Sequence, residues 1–351
     1  MDLPPDLYGR PRPDRFVQRL TAFGDWYNKP GRRPPAPAPA RPTPELPLVV
    51  TGHEVIAAEV VELRLGSPYG AELPAWQPGA RVQLTLPSGR RRHYSLCGDP
   101  ADRSTYRLAV RRIEGGGGGS VEIHDGLSAG SRLTARRPRN GFAFCGEPAV
   151  LLLAGGIGIT PLLPMAREAQ RRGLDWTLVH TGRDAASMPF GDELRGLDPR
   201  RVVLLTDDHN GPPGAAELIA QGPGNAAVYC CGPAPMLAAV REAVPAGRPL
   251  HFERFGAAPI PDGKPFTVRL GEAGPTAGVP ADRSALDVLR ELRPDLPYSC
   301  HQGFCGTCEV RVSAGTPEHR DRRLTPEERA AGALLPCVSR AAEGETLVLD
   351  L

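Results

Sequence analysis

Between Leu48 and Arg137 the apolar residues fall in short runs rich in branched side chains: LVVTGHEVIAAEVVELRL, ARVQLTLP, RRHYSLCG and TYRLAVRRI. Gly and Pro signals separate the runs, and no helical pattern intervenes, which predicts an antiparallel β-barrel or sandwich. From Ala149 to Phe255 the rhythm changes. AVLLLAGG, DWTLVHTG, RVVLLTDD and AAVYCCGP read as buried strands, and PLLPMAREAQRRG, GDELRGL and APMLAAVREAV as helices. That alternation predicts a doubly wound parallel α/β sheet. GAAPIPDGK reads as a linker. After it FTVRL, SALDVLRELR, EVRVSAG, TPEERAAG and ETLVLDL make a small α+β unit. At the other end, Phe16, Leu20, Phe23 and Tyr27 recur at helical spacing, and a Pro/Ala-rich tether, KPGRRPPAPAPARPTPELP, follows. A helix so short is marginal alone, so its apolar face must be buried, on a partner or on its own protein; self-packing is expected, because a partner-only helix would leave Phe16, Phe23, Trp26 and Tyr27 exposed in the free protein. The chain is thus expected to divide into an extension over 1–44, a barrel over 45–147, an α/β domain over 148–256, a linker over 257–264 and an α+β domain over 265–351.

Composition narrows the function classes. A chain of 351 residues with 40% hydrophobic content can bury several cores. A net charge of +2 without blocks of like charge leaves no footprint for nucleic acid. No apolar run approaches about 18 residues, so no membrane span is expected. The N-terminus MDLPPDLYGRPRPDRF lacks an apolar core of the signal-peptide type, which points to the cytoplasm. There, clustered cysteines serve more often as metal ligands or catalytic groups than as disulfides.

The stretch SCHQGFCGTCEV holds Cys300, Cys305 and Cys308, and Cys337 lies 29 residues beyond the last of them in LLPCVS. C-x4-C-x2-C followed by a distant Cys is the plant-type [2Fe–2S] spacing. Gly303 and Gly306 let the backbone turn between the thiols and aim N–H groups at sulfur, and Phe304 can shield the centre. A structural zinc site could use the same four thiolates, but zinc ribbons favour two C-x2-C pairs. A thioredoxin-like pair at Cys305 and Cys308 would leave Cys300 and Cys337 without a role.

A one-electron cluster beside a nucleotide-type domain needs a converter, because nicotinamide delivers electrons in pairs; a flavin does this, and the barrel is where it should sit. In RRHYSL, Arg92 can meet a phosphate, Tyr94 lie on or beside the isoalloxazine, and Ser95 bond its polar edge. In EGGGGGSVEIHD, Gly118, Gly119 and Ser120 precede what reads as a helix start, an anion cradle or else a flexible loop. AGGIGITP, Ala154 to Pro161, ends a strand and opens a helix. In VHTGRDAAS, Asp184 could accept from a ribose hydroxyl and repel a 2′-phosphate, whereas Arg183 would welcome one.

These motifs carry a resemblance. Phe266 to Leu351 is similar to the plant-type ferredoxins (a β-grasp fold), and Arg-x-Tyr-Ser resembles the flavin motif of the ferredoxin reductase superfamily. Cys231-Gly232-Pro233 resembles that superfamily's Cys-Gly-Pro, where nicotinamide approaches flavin. Phe255 of HFERF matches the Phe that covers the flavin face. Over Leu46 to Leu351 the chain resembles the phthalate dioxygenase reductase and vanillate demethylase reductase family. There the phosphate loop usually reads Gly-Arg-Gly-Gly-Ser, and Gly117 stands here in place of the Arg.

The resemblance implies FMN rather than FAD, because of the domain order. It places FMN at Arg92, His93, Tyr94, Ser95, Ala109, Val110, Arg111, Gly117, Gly118, Gly119, Ser120 and Phe255. NADH falls at Gly155, Gly156, Gly158, Thr160, Pro161, Asp184, Cys231, Gly232 and Pro233, and the four cysteines become cluster ligands. It implies a reductase component that serves a terminal oxygenase, usually Rieske-type, acting on an aromatic or similar small organic substrate. A stand-alone oxidoreductase serving a cytochrome P450 or a small acceptor is the alternative, and a zinc or simple carrier protein is the non-enzymatic one. No Cys-x-His pair occurs, so oxygen chemistry is expected on a partner.

Overall fold

The structure, a computed structural model, describes residues 45–114, 117–257 and 260–351. The N-terminal helix and tether expected over 1–44 lie outside the described residues. Residues 45–351 form one compact unit, built on three sheets.

The first sheet contains β1 (Leu46–Ala57), β2 (Val60–Gly66), β3 (Ala80–Thr85), β4 (Arg91–Ser95), β5 (Thr105–Arg111) and β6 (Arg132–Asn140). Their order is β4-β3-β6-β1-β2-β5, and every pairing is antiparallel. The edge strands β4 and β5 come into contact, curling the sheet toward a barrel. Alternate residues Val61, Leu63 and Leu65 of β2 and Tyr106, Leu108 and Val110 of β5 point inward, as the two-residue strand period requires. Helix α1 (Gly119–Gly126) adds Ile123 to this core.

The other face of β2 and β5 is buried as well. Val60 and Ala109 pack with Val150, Leu152 and Leu162 of the next layer. Buried Glu62 takes the Arg107 guanidinium at 2.5 Å, and Arg107 reaches Glu193 at 2.8 Å, which also holds Arg167. This ion-pair chain joins barrel to α/β layer.

The second sheet is wholly parallel: β7 (Ala149–Gly155), β8 (Asp175–Gly182), β9 (Val202–Thr206), β10 (Ala227–Cys231) and β11 (Leu250–Glu253), in the order β11-β10-β7-β8-β9. The expected strands and helices are present, and β11 is an addition. Its residues LHFE lack a continuous apolar run, and pairing with β10 is what makes them a strand. Helix α2 (Ile159–Arg171) carries Pro161 in its first turn, where a missing N–H is tolerated. Its start is buried between sheet and barrel.

The third sheet mixes directions. It comprises β12 (Phe266–Leu270), β13 (Thr276–Val279), β14 (Val310–Ala314), β16 (Ala333–Leu334) and β18 (Thr346–Asp350), with β15 (Pro317–Glu318) and β17 (Arg340–Ala341) as a separate pair. The order is β13-β12-β18-β14-β16, with β12 parallel to β18. Helix α3 (Ala285–Leu292) lays Leu286, Val288 and Leu289 on this sheet, as its apolar spacing dictates. Ser284 caps it, its Oγ accepting from the Asp287 N–H at 3.1 Å. The architecture is thus antiparallel barrel, parallel α/β sheet and α+β ferredoxin-like unit, in that order.

Candidate functional site

Strands β4 and β5 touch without pairing, and their residues border a cleft. The cleft, of about 410 Å³, is lined by Arg92–Ser95, Ala109–Arg111 and Ser120 of the barrel, by Glu253–Ala257, and by Tyr298–Gln302 and Phe304 of the α+β unit. Ile157 and Thr160 of the α/β layer also reach it. The units built on all three sheets therefore border this one cavity.

Arg92 is held across its floor. Its Nη1 donates to the Arg91 carbonyl at 2.8 Å, and its Nη2 to the Gly117 carbonyl at 2.8 Å and the Tyr298 hydroxyl at 2.5 Å. The Tyr298 ring lies between two guanidiniums, with Arg92 at 4.3 Å and Arg290 at 3.8 Å from its centroid. Gly117 and Gly118 have φ of 74° and 80°, a left-handed region that favours glycine. A Cβ on Gly119 would meet the Arg92 side chain at 2.7 Å. The glycines thus let the loop lie against Arg92. No side chain caps α1, so its first N–H groups remain available beside the guanidinium. Ser120 Oγ is engaged locally, accepting from the Ile113 N–H at 3.0 Å. This arrangement of cation, uncapped amides and left-handed glycines fits an anionic phosphate.

Tyr94 is half-buried, and burial pushes its phenol well above the ordinary value against the pull of Arg92, so it stays neutral. Ser95 Oγ donates to Glu253 at 3.3 Å. Glu253 is buried, pairs with Arg81 at 2.9 Å, and is pushed up to about 7 by burial in spite of that cation. Phe255 is 45% exposed at the cleft rim rather than packed in a core.

Cys300, Cys305, Cys308 and Cys337 are all buried. Their thiols converge in pairs, Cys300 hydrogen-bonding Cys305 and Cys337 hydrogen-bonding Cys308. The hydrogen bond from Cys300 outweighs burial and holds Cys305 well below its ordinary value, with His93 and Thr307 assisting. Backbone N–H groups point at sulfur, from Gln302 to Cys300 at 3.3 Å and from Thr307 to Cys305 at 3.4 Å. Gly303 and Gly306 take φ of 71° and 75°. Four converging thiols with amide donors form a thiolate cradle that fits a [2Fe–2S] centre.

The cysteine loop is fastened to its neighbours by several side-chain contacts. Arg81 lies over the Phe304 ring at 4.0 Å, with His93 edge-on to it at 5.7 Å. Gln83 donates to Thr307 at 3.0 Å, and Gln302 to the carbonyls of Arg254 at 2.6 Å and Gly256 at 2.9 Å. Arg81, Gln83, Glu253, Tyr298 and Gln302 were not singled out from sequence, whereas Phe304 was, as a shield for the cysteine centre. Glu253 stood inside HFERF, and Gln302 and Phe304 inside SCHQGFCGTCEV.

A second cavity of about 270 Å³ lies at the C-terminal ends of β7 and β8. Gly155, Gly156, Ile157, Thr181, Gly182, Arg183, Arg111 and Pro233 are among its lining residues. Arg111 and Ile157 line both cavities, so the two adjoin. Gly158 must lack a side chain, because a Cβ there would stand 2.1 Å from the Cys231 carbonyl oxygen. That is why the GGIG turn and Cys-Gly-Pro occur together. The Cys231 side chain is fully buried and lines neither cavity, and burial, with Glu253 adding to it, holds the thiol well above its ordinary value. Gly232 and Pro161 are likewise structural here, while Thr160 faces the first cleft. Asp184 is spent as a cap, accepting from the Ser187 N–H at 2.8 Å, and Arg183 pairs with Glu59 at 3.2 Å.

A flavin-type barrel, a nucleotide-type sheet and a thiolate loop that open on one cleft define a modular oxidoreductase with an iron–sulfur domain. Residues 270–342, which include all four clustered cysteines, match the 2Fe-2S iron-sulfur cluster binding domain family. Phthalate dioxygenase reductase of Burkholderia cepacia is 38% identical over 316 residues, 87% of this chain and 97% of that protein. The solved structure of a phthalate dioxygenase reductase, described as modular for electron transfer from pyridine nucleotides to [2Fe-2S], superposes with a TM-score of 0.64 at 37% identity, covering 88% of this chain and 98% of that one. An intact type IV self-sufficient cytochrome P450 monooxygenase matches at 35% identity and a TM-score of 0.65, over 91% of this chain but 43% of that one. The chain belongs to the phthalate dioxygenase reductase family. Among the described residues no helix is long and apolar enough to cross a membrane.

Proposed function

We propose that the chain is the cytoplasmic reductase component of an oxygenase system, passing electrons from NADH through FMN and a [2Fe–2S] cluster to a terminal oxygenase. The observation that carries this reading is the shared cleft: Arg92, Tyr94, Phe255 and the ligand Cys300 all line it. When bound, FMN takes electrons in pairs and the cluster hands them on singly. Arg92 and the amides of Gly118, Gly119 and Ser120 hold the phosphate, with Gly117 giving the loop its turn. His93, Tyr94, Ser95, Ala109, Val110 and Arg111 shape the ring site, and Phe255 shields it from water. Gly155, Gly156, Gly158, Thr160 and Pro161 form the turn against which the nicotinamide nucleotide lies, Pro233 closes its far side, and Cys231 and Gly232 support the turn from behind. Cys300, Cys305, Cys308 and Cys337 hold the cluster.

Preference for NADH rests on Glu59. It pairs with Arg183 at 3.2 Å and Arg111 at 3.5 Å, so the two cations at the second cavity are already matched against a carboxylate. A 2′-phosphate would have to compete with that carboxylate. Asp184 acts by shaping the turn through its cap, not by a free carboxylate. We assign the barrel, nucleotide and ferredoxin domains to 45–147, 148–256 and 265–351, joined by 257–264.

Relatives named for dioxygenases support an oxygenase acceptor with a small organic, often aromatic, substrate. The match to a P450 chain supports haem as a second acceptor class. Anaerobic mixing with NADH should bleach flavin and then cluster absorbance, and should produce a rhombic one-electron EPR signal. Reconstitution with a Rieske-type oxygenase component should give NADH-dependent product. NADH oxidation without cluster reduction would overturn the route, and product only with a P450 would replace the Rieske assignment.

A further inference from the structure

A second set of metal-type ligands lies away from the cysteine loop. Cys145 and Glu147 belong to the segment between β6 and β7, and His251 to β11. The ligand atoms of all three lie within 4.8 Å of one another. His251 Nε2 stands 3.0 Å from Glu147 Oε1. Bond lengths of about 2.0–2.3 Å to zinc put the atoms of a tetrahedral set roughly 3 to 4 Å apart, a spacing this trio reaches by small side-chain adjustments.

The trio is supported from behind by one residue. The Tyr229 hydroxyl donates to Glu147 Oε2 at 2.8 Å and accepts from the Cys145 N–H at 2.9 Å. The Tyr229 ring also stacks on His251, with centroids 4.5 Å apart and planes at 16°. A buried tyrosine thus fixes the carboxylate, the backbone at the thiol and the imidazole plane together, which is how outer-shell groups orient ligands. Gly146, at φ 75°, makes the turn that puts Cys145 and Glu147 on one side. Arg172, whose guanidinium lies beside Gly146, is matched by Glu168 at 2.8 Å.

We propose that Cys145, Glu147 and His251 form a binding site for one divalent borderline-soft metal ion, of the Zn²⁺ class, separate from the cluster. Thiolate, imidazole and carboxylate together suit zinc and not magnesium or calcium, which take oxygen ligands. The exposed Cys145 side leaves a fourth position for water. Two negative ligands and one neutral ligand match the charge of the ion. Bound metal would tie the barrel-to-sheet segment to β11, the strand that runs into Glu253 and Phe255 at the cleft.

The test uses the holoprotein and zinc chloride. Cys145 is the exposed cysteine of the eight, so alkylation by iodoacetamide, read by peptide mass spectrometry, reports on it directly. One equivalent of zinc should stay bound after dialysis, beside an unchanged iron content, and should block alkylation of Cys145. Cys145→Ser and His251→Gln should each lose the retained zinc while keeping the flavin and cluster spectra. Tyr229→Phe should weaken zinc binding by about 10- to 100-fold. Unprotected alkylation of Cys145 at saturating zinc, or equal zinc retention by Cys145→Ser and His251→Gln, would overturn the site.

Discussion

The Arg92 guanidinium meets the Tyr298 hydroxyl at 2.5 Å, and that hydroxyl stands 1.7 Å from the point a Cβ on Gly117 would occupy. Family loops place an Arg at this position. Here the ferredoxin-like unit sends a tyrosine into the room that side chain would need. The glycine loop and the cysteine loop are therefore fitted to each other.

Gly117→Ala should lower the melting temperature and slow flavin-to-cluster electron transfer. In a Tyr298→Ala background the same change should cost only the left-handed strain, about 1–2 kcal/mol. Contacting residues of this kind are non-additive. Thermal melts and stopped-flow traces of the four proteins measure this, and strict additivity would show that the two residues are independent.

Glu59→Gln should release Arg183 and Arg111 toward a 2′-phosphate. The expected result is a gain of about tenfold in kcat/KM for NADPH, worth about 1.4 kcal/mol, with NADH little changed. Steady-state kinetics with both nucleotides decides it.

His180 is buried beneath the GGIG turn, its Nε2 3.0 Å from the Gly156 carbonyl oxygen, and burial holds it down at about 4 in spite of that bond. The unfolded chain binds a proton near 6.5 and the folded one near 4. Stability is therefore intact above about 6.5 and falls as pH drops toward 4, by about 3 kcal/mol in all. His180→Gln should flatten that slope. Between pH 7.5 and 5.5 the difference should be about 1 kcal/mol, read from thermal melts of variant and parent. Parallel slopes would show that His180 does not carry the acid sensitivity.

Cys308→Ser should abolish the EPR signal and most of the iron, while flavin content and its reduction by NADH persist. The thiolate cradle and the Arg92 site are built from different sheets, so losing one ligand should leave the other cofactor in place. Iron and flavin assays on the purified variant check this, and joint loss of both cofactors would mean that the cleft collapses as a unit.

The fold class was legible wherever the deciding interactions are local. Strand alternation announced barrel and α/β sheet, and the four cysteines announced their loop because C-x4-C-x2-C is a short-range geometric requirement. That Arg92 to Ser95 end a strand and that the GGIG turn joins strand to helix were legible for the same reason. Strand β11 was not, because pairing with β10 creates it. Nor were the contacts that close the cleft: Arg81 finds Glu253 from 172 residues away, Arg92 finds Tyr298 from 206, and Gln83 finds Thr307 from 224. The competition between Asp184 and Arg183 also needed the tertiary structure, since the cap at Ser187 and the partner Glu59 decide which charge is free. Local sequence fixes which backbone conformations and ligand spacings are available. Which distant side chains neutralise, cap or fill them depends on the packing of three sheets around one cavity, and no single stretch of the chain encodes that.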